Sequence, residues 1–170
     1  MYMKQFVKHF LILLSFLFAF TGMALPDDTC EVKEYVRVDG LMIRGVSFET
    51  IYVVDSINIL AAMYAIDKDY FLVLRIENIN QLIDEKNYNK DIAIQLSDST
   101  VILLTYNSFK GQPSKNSYEG YFKINSKDLG YIEKNTIVKM EFIIHDQKKY
   151  LFIKEDKDLL QRHYACLRKK

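Results

Sequence analysis

The sequence predicts a mainly β protein: an antiparallel β-sandwich or strongly curled sheet, with a short internal helix and a C-terminal helix. Three observations carry this. Apolar residues recur with period two through most of residues 31–153, the spacing of half-buried strands. Turn-forming clusters such as Asp39-Gly40, Asp67-Lys68-Asp69 and Ser97-Asp98-Ser99 break those runs at short intervals. Helical signals are few and short, which suits antiparallel strands rather than an α/β fold with crossover helices.

The first 24 residues stand apart. Lys4 and Lys8 precede an apolar run from Phe10 to Phe20, and Gly22-Met23-Ala24 follows. A basic start, an apolar middle and small residues before a cut is the layout of a secretory signal peptide. The run is short of the roughly 20 residues that a spanning helix needs, so cleavage after Ala24 is expected, with no stable membrane span afterwards. A single β-rich domain then covers residues 25–170, exported to a periplasmic or extracellular location. Asp27 and Asp28 stand just before Cys30, where a lipid-attachment signal wants small apolar residues, so the sequence argues against a lipid anchor there.

The strands follow in order. Val32, Val36 and Val38 alternate before the Asp39-Gly40 turn, and Val46 to Val54 reads as a second strand ended by Asp55-Ser56. Ile57–Ile66 and Tyr70–Ile76 flank a short polar stretch and form a hairpin candidate. Residues 77–89 are polar, with Ile79, Leu82 and Ile83 at helical spacing, and read as a loop or one short helix. Residues 91–96 and 100–106 alternate again around Ser97-Asp98-Ser99. Asn107 to Ser117, with Gly111 and Pro113, reads as an exposed loop, and Tyr118–Ile124 as the next strand. Asn125 is placed to cap the internal helix, with Asp128 in its first turn. A hairpin over residues 136–153 turns at His145–Lys148, with Val138, Met140, Phe142 and Ile144 on one face. The C-terminal helix would carry the acids of residues 155–158 in its first turn and Arg168–Lys170 at its end, both matching the helix dipole. Leu160, His163, Tyr164 and Leu167 form its apolar stripe.

Asp98-Ser-Thr-Val-Ile-Leu-Leu, Tyr118-Glu-Gly-Tyr-Phe-Lys-Ile and Asp128-Leu129 together resemble a pattern in uncharacterised exported β-sandwich proteins of Bacteroidetes-type bacteria. The pattern spans about residues 70–153. The resemblance implies an exported β-sandwich and no particular activity, so no site residue is carried over from it.

Charge and chemistry narrow the function. Removing residues 1–24 leaves 21 basic and 22 acidic side chains, a net charge of −1. Such balance gives no footprint for nucleic acid, which draws a strong basic excess. Cys30 and Cys166 are the only cysteines; they sit near opposite ends of the mature domain and would meet an oxidising compartment, so they form a candidate disulfide. His145 and His163 alone survive cleavage among histidines, with no metal-ligand spacing between them. No Gly-x-Ser-x-Gly, Cys-x-x-Cys or phosphate-cradling glycine series occurs. No catalytic residue, metal or cofactor is therefore assigned. Tyr106, Tyr118 and Tyr121 flank the polar stretch 107–117 and form the candidate contact surface, because tyrosine offers a rigid apolar body with a polar tip. The expected function is a noncatalytic exported module binding a protein, a peptide or a surface glycan. The alternatives are an envelope structural or assembly protein, and a hydrolase with a dispersed carboxylate or histidine site.

Overall fold

The computed structural model describes residues 31–54, 57–78, 90–112, 116–144, 147–154 and 156–169. The signal-peptide segment, Cys30, most of the 77–89 stretch and the His145-Asp146 turn lie outside the described residues. Ten strands and two helices form among the described residues: β1 (Val32–Val36), β2 (Met42–Val46), β3 (Glu49–Val54), β4 (Ile57–Ile66), β5 (Asp69–Glu77), β6 (Ile92–Leu96), β7 (Val101–Gln112), β8 (Ser117–Ile124), α1 (Ser126–Lys134), β9 (Ile137–Ile144), β10 (Gln147–Phe152) and α2 (Leu159–Arg168). The chain is mainly β, as its alternation predicts. The strands form one continuous antiparallel sheet in the order β1-β2-β4-β5-β8-β7-β6-β9-β10, with β3 also on β4.

Strand β7 joins the two halves of this sheet. Its first part, Val101 to Leu104, pairs with β6, and Thr105 to Gln112 pairs with β8. A register irregularity between Tyr106 and Ser108 marks the corner, the kind of bulge that bends a strand. Alternation holds on either side of it: Ile102 and Leu104 are buried while Val101 and Leu103 are exposed. Both halves supply one core. Ala61, Met63, Leu72 and Leu74 come from β4 and β5, and Ile94, Leu96, Leu104 and Met140 from the other half. Strands far apart in the sheet order thus meet across a shared interior, so the sheet curls on itself.

The two helices plug one end of the curl. Leu129 and Ile132 of α1 and Leu159, Leu160, His163, Cys166 and Leu167 of α2 are buried. The Tyr164 ring meets Tyr70 edge-on at 5.3 Å, Gln161 Nε2 donates to the Glu133 carbonyl at 3.3 Å, and Arg44 Nη2 donates to the Lys169 carbonyl at 3.1 Å.

Several expectations change. Residues 107–112 are strand, not loop, and the next strand begins at Ser117. Beyond the corner, one edge of β7 has no strand partner among the described residues, and polar residues such as Asn107, Ser108 and Lys110 are what an exposed edge tolerates. The strand expected over Val46–Val54 is divided at Ser47-Phe48, and both pieces lie on the same side of β4, with Gly45 opposite Tyr64 and Glu49 opposite Ala61. Val138 does not share the buried face of Met140. Leu96 pairs with Ile137 but Gln95 with Lys139, so Val138 is the extra residue of a bulge; Ile137 turns inward and Val138 outward. Helix α2 begins at Leu159 with no acid in its first turn. Asp156 and Asp158 instead pair with Arg162 at 3.5 and 3.2 Å. Asn125 holds the N-cap position of α1 in extended backbone but makes no side-chain cap; its Nδ2 donates to Asp128 Oδ2 at 3.3 Å.

Candidate binding site at the open end

The turns of β1–β2, β4–β5 and β6–β7 lie at the helix-plugged end. The opposite end of the curl carries Ile59, Ile76, Ile92, Phe109, Tyr118 and Phe142, and has no helix over it among the described residues. An apolar hollow of about 50 Å³ opens there, its walls completed by Leu74, Phe122 and Leu151. Roughly 10–15 Å³ holds one water and about 150 Å³ a benzene ring, so the hollow suits a small apolar side chain and not a cofactor. Its aromatic wall is tightly set. Phe109 stacks on Tyr118 at 5.6 Å and 17°, and Tyr106 meets Phe122 edge-on at 6.3 Å. Gly120 makes room for that wall: a Cβ there would stand 2.9 Å from the Phe122 ring. Among the described residues, Lys90 is the one charged residue of the lining.

A groove runs beside the hollow, between β3 and β10. Thr50, Ile51, Tyr52 and Val53 form one wall; Tyr150, Phe152 and Lys154 form the other, enclosing about 620 Å³. Alternation along β10 turns Leu151 into the core and leaves Tyr150 50% and Phe152 59% exposed. Val53 across the groove is 62% exposed. Among the described residues, β3 pairs only with β4 and β10 only with β9, so each presents an open backbone edge to the groove.

The three tyrosines chosen from sequence do not share one surface. Tyr118 lines the hollow and is only 5% exposed. Tyr106 braces the hollow through Phe122. Tyr121 lies on the opposite face of the sheet, where its hydroxyl donates to Glu119 Oε2 at 2.8 Å. Burial, and then that bond to an acid, push the Tyr121 hydroxyl far above the ordinary tyrosine range. Arg75 reaches the same carboxylate through Nε at 2.9 Å and Nη2 at 2.6 Å, and its guanidinium lies 3.8 Å over the Phe48 ring. Sequence reading missed Tyr150, Phe152 and Val53. The available signal was Lys148-Lys-Tyr-Leu-Phe-Ile-Lys154, whose lysines around alternating aromatics mark an exposed edge.

No protein family, characterised protein or solved structure matches the chain. Its own geometry therefore carries the functional reading.

His163 and Glu49 form the one close acid–histidine pair among the described residues. Nε2 lies 2.6 Å from Glu49 Oε1, and Arg162 clasps the same carboxylate at 3.2 and 3.0 Å. The carboxylate accepts, so Nε2 carries the proton; buried Nδ1 then has no partner. A second proton would bury a donor without an acceptor. Burial holds the imidazole below its ordinary 6.5, against the pull of Glu49. Burial raises the Glu49 carboxyl, but the hydrogen bonds and charges of Arg162 and His163 outweigh it and the net shift is downward from 4.5. Below pH 6.5 the unfolded chain therefore takes a proton at His163 that the folded chain resists, and stability falls with pH. Glu49 adds a loss of the same sign below 4.5, completed as pH drops through its folded value. We expect the urea midpoint to fall between about pH 6.5 and pH 5, with His163 contributing a slope of at most about 1.4 kcal/mol per pH unit. The His163→Gln variant, which keeps a donor toward Glu49, should flatten that limb in denaturation curves taken at stepped pH.

Among the described residues, no three His, Cys, Asp or Glu side chains converge to hold a metal, and no helix is long and apolar enough to cross a membrane.

Proposed function

We propose that residues 25–170 form a noncatalytic exported module that binds a partner protein or peptide at the open end of its curled sheet. The carrying observation is the apolar hollow, set beside a groove whose exposed rings are Tyr150 and Phe152. Concave apolar sites with few polar groups are where small apolar groups of ligands seat. The signal-like segment 1–24 and the resemblance to exported β-rich proteins support release to the periplasm or the exterior. In that setting Cys30 and Cys166 pair; Cys166 is buried on α2 and is not a free thiol, while Cys30 lies outside the described residues. A surface glycan is the weaker ligand choice, because the hollow is too small for a sugar ring. The hydrolase alternative is disfavoured at the Glu49–His163 pair: His163 is 1% exposed and reaches no substrate.

Selection of peptides from a random displayed library against the mature domain tests this reading. Winning peptides should share an apolar anchor residue, and Ile76→Phe, which fills the mouth of the hollow, should weaken them about tenfold, the effect of losing roughly 1.4 kcal/mol of contact. Far-ultraviolet circular dichroism of the variant should be unchanged. Failure to recover binders, or binders indifferent to Ile76→Phe, would reject the site.

A second reading, an envelope assembly role, is favoured by the β1–β2 hairpin. Tyr35, Val36, Val38, Leu41 and Met42 are all exposed there, and β1 has one open edge among the described residues. Concentration-dependent sedimentation of the mature chain, lost in a Val36→Lys variant, would select that reading.

A further inference from the structure

We propose that the partner enters the groove as an extended strand, adding to the edge of β10 antiparallel and carrying an acidic residue at its N-terminal end. This rests on the binding-module reading and specifies its ligand. Recognition would be mainly through main-chain hydrogen bonds, the mode in which a peptide lengthens an exposed sheet.

Backbone geometry sets the direction. Ile153 N donates to the Val138 carbonyl at 3.0 Å, so the amide of Ile153 faces β9. Amides alternate sides along a strand. Those of Tyr150 and Phe152 therefore face the groove. Every pairing on the path from β3 to β10 is antiparallel: β3–β4, β4–β5, β5–β8, β8–β7, β7–β6, β6–β9 and β9–β10. The number of steps is odd, so β3 and β10 run in opposite directions. A single strand between them is antiparallel to one and parallel to the other. The register of β3 on β4 shifts between Thr50 and Tyr52, whereas β10 is regular on β9. The regular edge takes the antiparallel partner, the slightly stronger pairing.

Charge sets the chemistry. Among the described residues, Lys154 is the only charged one lining the groove. It follows the C-terminal end of β10, so an antiparallel partner meets it with its own N-terminal end, where an acid is complementary. A second copy of the chain fits less well: β10 itself, Gln147-Lys-Lys-Tyr-Leu-Phe152, carries two lysines and no acid, so two β10 strands edge to edge would bring net positive charge together.

The probe is a short capped peptide with an N-terminal glutamate followed by alternating valine and threonine. At saturation, hydrogen exchange at the Tyr150 and Phe152 amides should slow by about tenfold or more, since exchange requires those new bonds to open. The same peptide N-methylated on alternate residues should give no such slowing. Lys154→Glu should weaken the glutamate peptide and strengthen its N-terminal lysine counterpart. Unchanged exchange at both amides, equal protection by the N-methylated peptide, or protection that grows with protein concentration without peptide would each overturn strand addition. If library peptides still depend on Ile76 while the two amides stay unprotected, the hollow reading stands and strand addition alone falls.

Discussion

Replacing Glu119 with alanine is expected to lower the unfolding free energy by about 3 kcal/mol, at the lower end of the cost of breaking a buried ion pair. Glu119 sits on the face of β8 opposite the main core, and is 5% exposed. One carboxylate oxygen takes both Arg75 contacts, and the other accepts from Tyr121. Alanine would leave a guanidinium and a hydroxyl among the rings of Phe48, Tyr64 and Tyr121, which meet at 6.1 and 6.2 Å. The Arg75 side chain keeps 29% of its exposure, so water offsets part of the loss, which is why the lower end applies. Two measurements separate the pair from simple packing. Arg75→Met combined with Glu119→Leu should recover much of the stability, because a well-packed apolar replacement often matches a buried ion pair. In Glu119→Ala the Tyr121 hydroxyl should also titrate at lower pH, since the neighbouring acid that opposes its ionisation is gone. A loss below about 1 kcal/mol would place the pair with ordinary surface bridges.

This cluster shows what local sequence does and does not reveal. Alternation in β8 puts Glu119 and Tyr121 on one face and Phe122 on the other, and that much is legible in Tyr118–Ile124. Arg75 arrives through the register of β5 on β8, which sets it opposite Glu119. No local pattern encodes that register, so Tyr121 reads as a free contact residue when it is held by an acid.

The same distinction runs through the fold. The hairpin of β9 and β10 was legible because its alternation is local, and the stripe of α2 because helical spacing is local. Val138 was misread because one bulge residue shifts the phase of everything before it. Residues 107–112 were misread because an edge strand and a loop share a preference for polar side chains. Asp156 and Asp158 suit a helix start by charge, yet Arg162 draws both from just outside it. The groove was least legible of all. It exists because β3 and β10, nearly a hundred residues apart in sequence, are the strands left facing each other when the sheet fails to close.

The proposed Cys30–Cys166 bridge carries the largest expected effect on stability. It would close a loop of about 136 residues, for which loop-closure entropy gives an upper figure near 5 kcal/mol. The native side of the bridge is well placed to use that gain. Cys166 lies on the buried face of α2, and α2 is itself tied to β3 through Glu49 and to α1 through the Arg168–Glu133 pair. A link at Cys166 therefore joins the N-terminal approach to β1 to the helical plug, rather than to a fraying tail. Residues 25–170 made in an oxidising compartment should show a two-hydrogen mass deficit and a linked peptide containing both cysteines. Reduction, or the double substitution Cys30→Ser with Cys166→Ala, should lower the urea midpoint substantially, and the single Cys166→Ala change should account for nearly all of it. The double variant should not differ from that single variant by more than a few tenths of a kcal/mol, because two substitutions that break one bond are not additive. Two free thiols in the chain recovered from an oxidising compartment, or a reduced form as stable as the oxidised one, would remove the bridge from the account of how the plug is held.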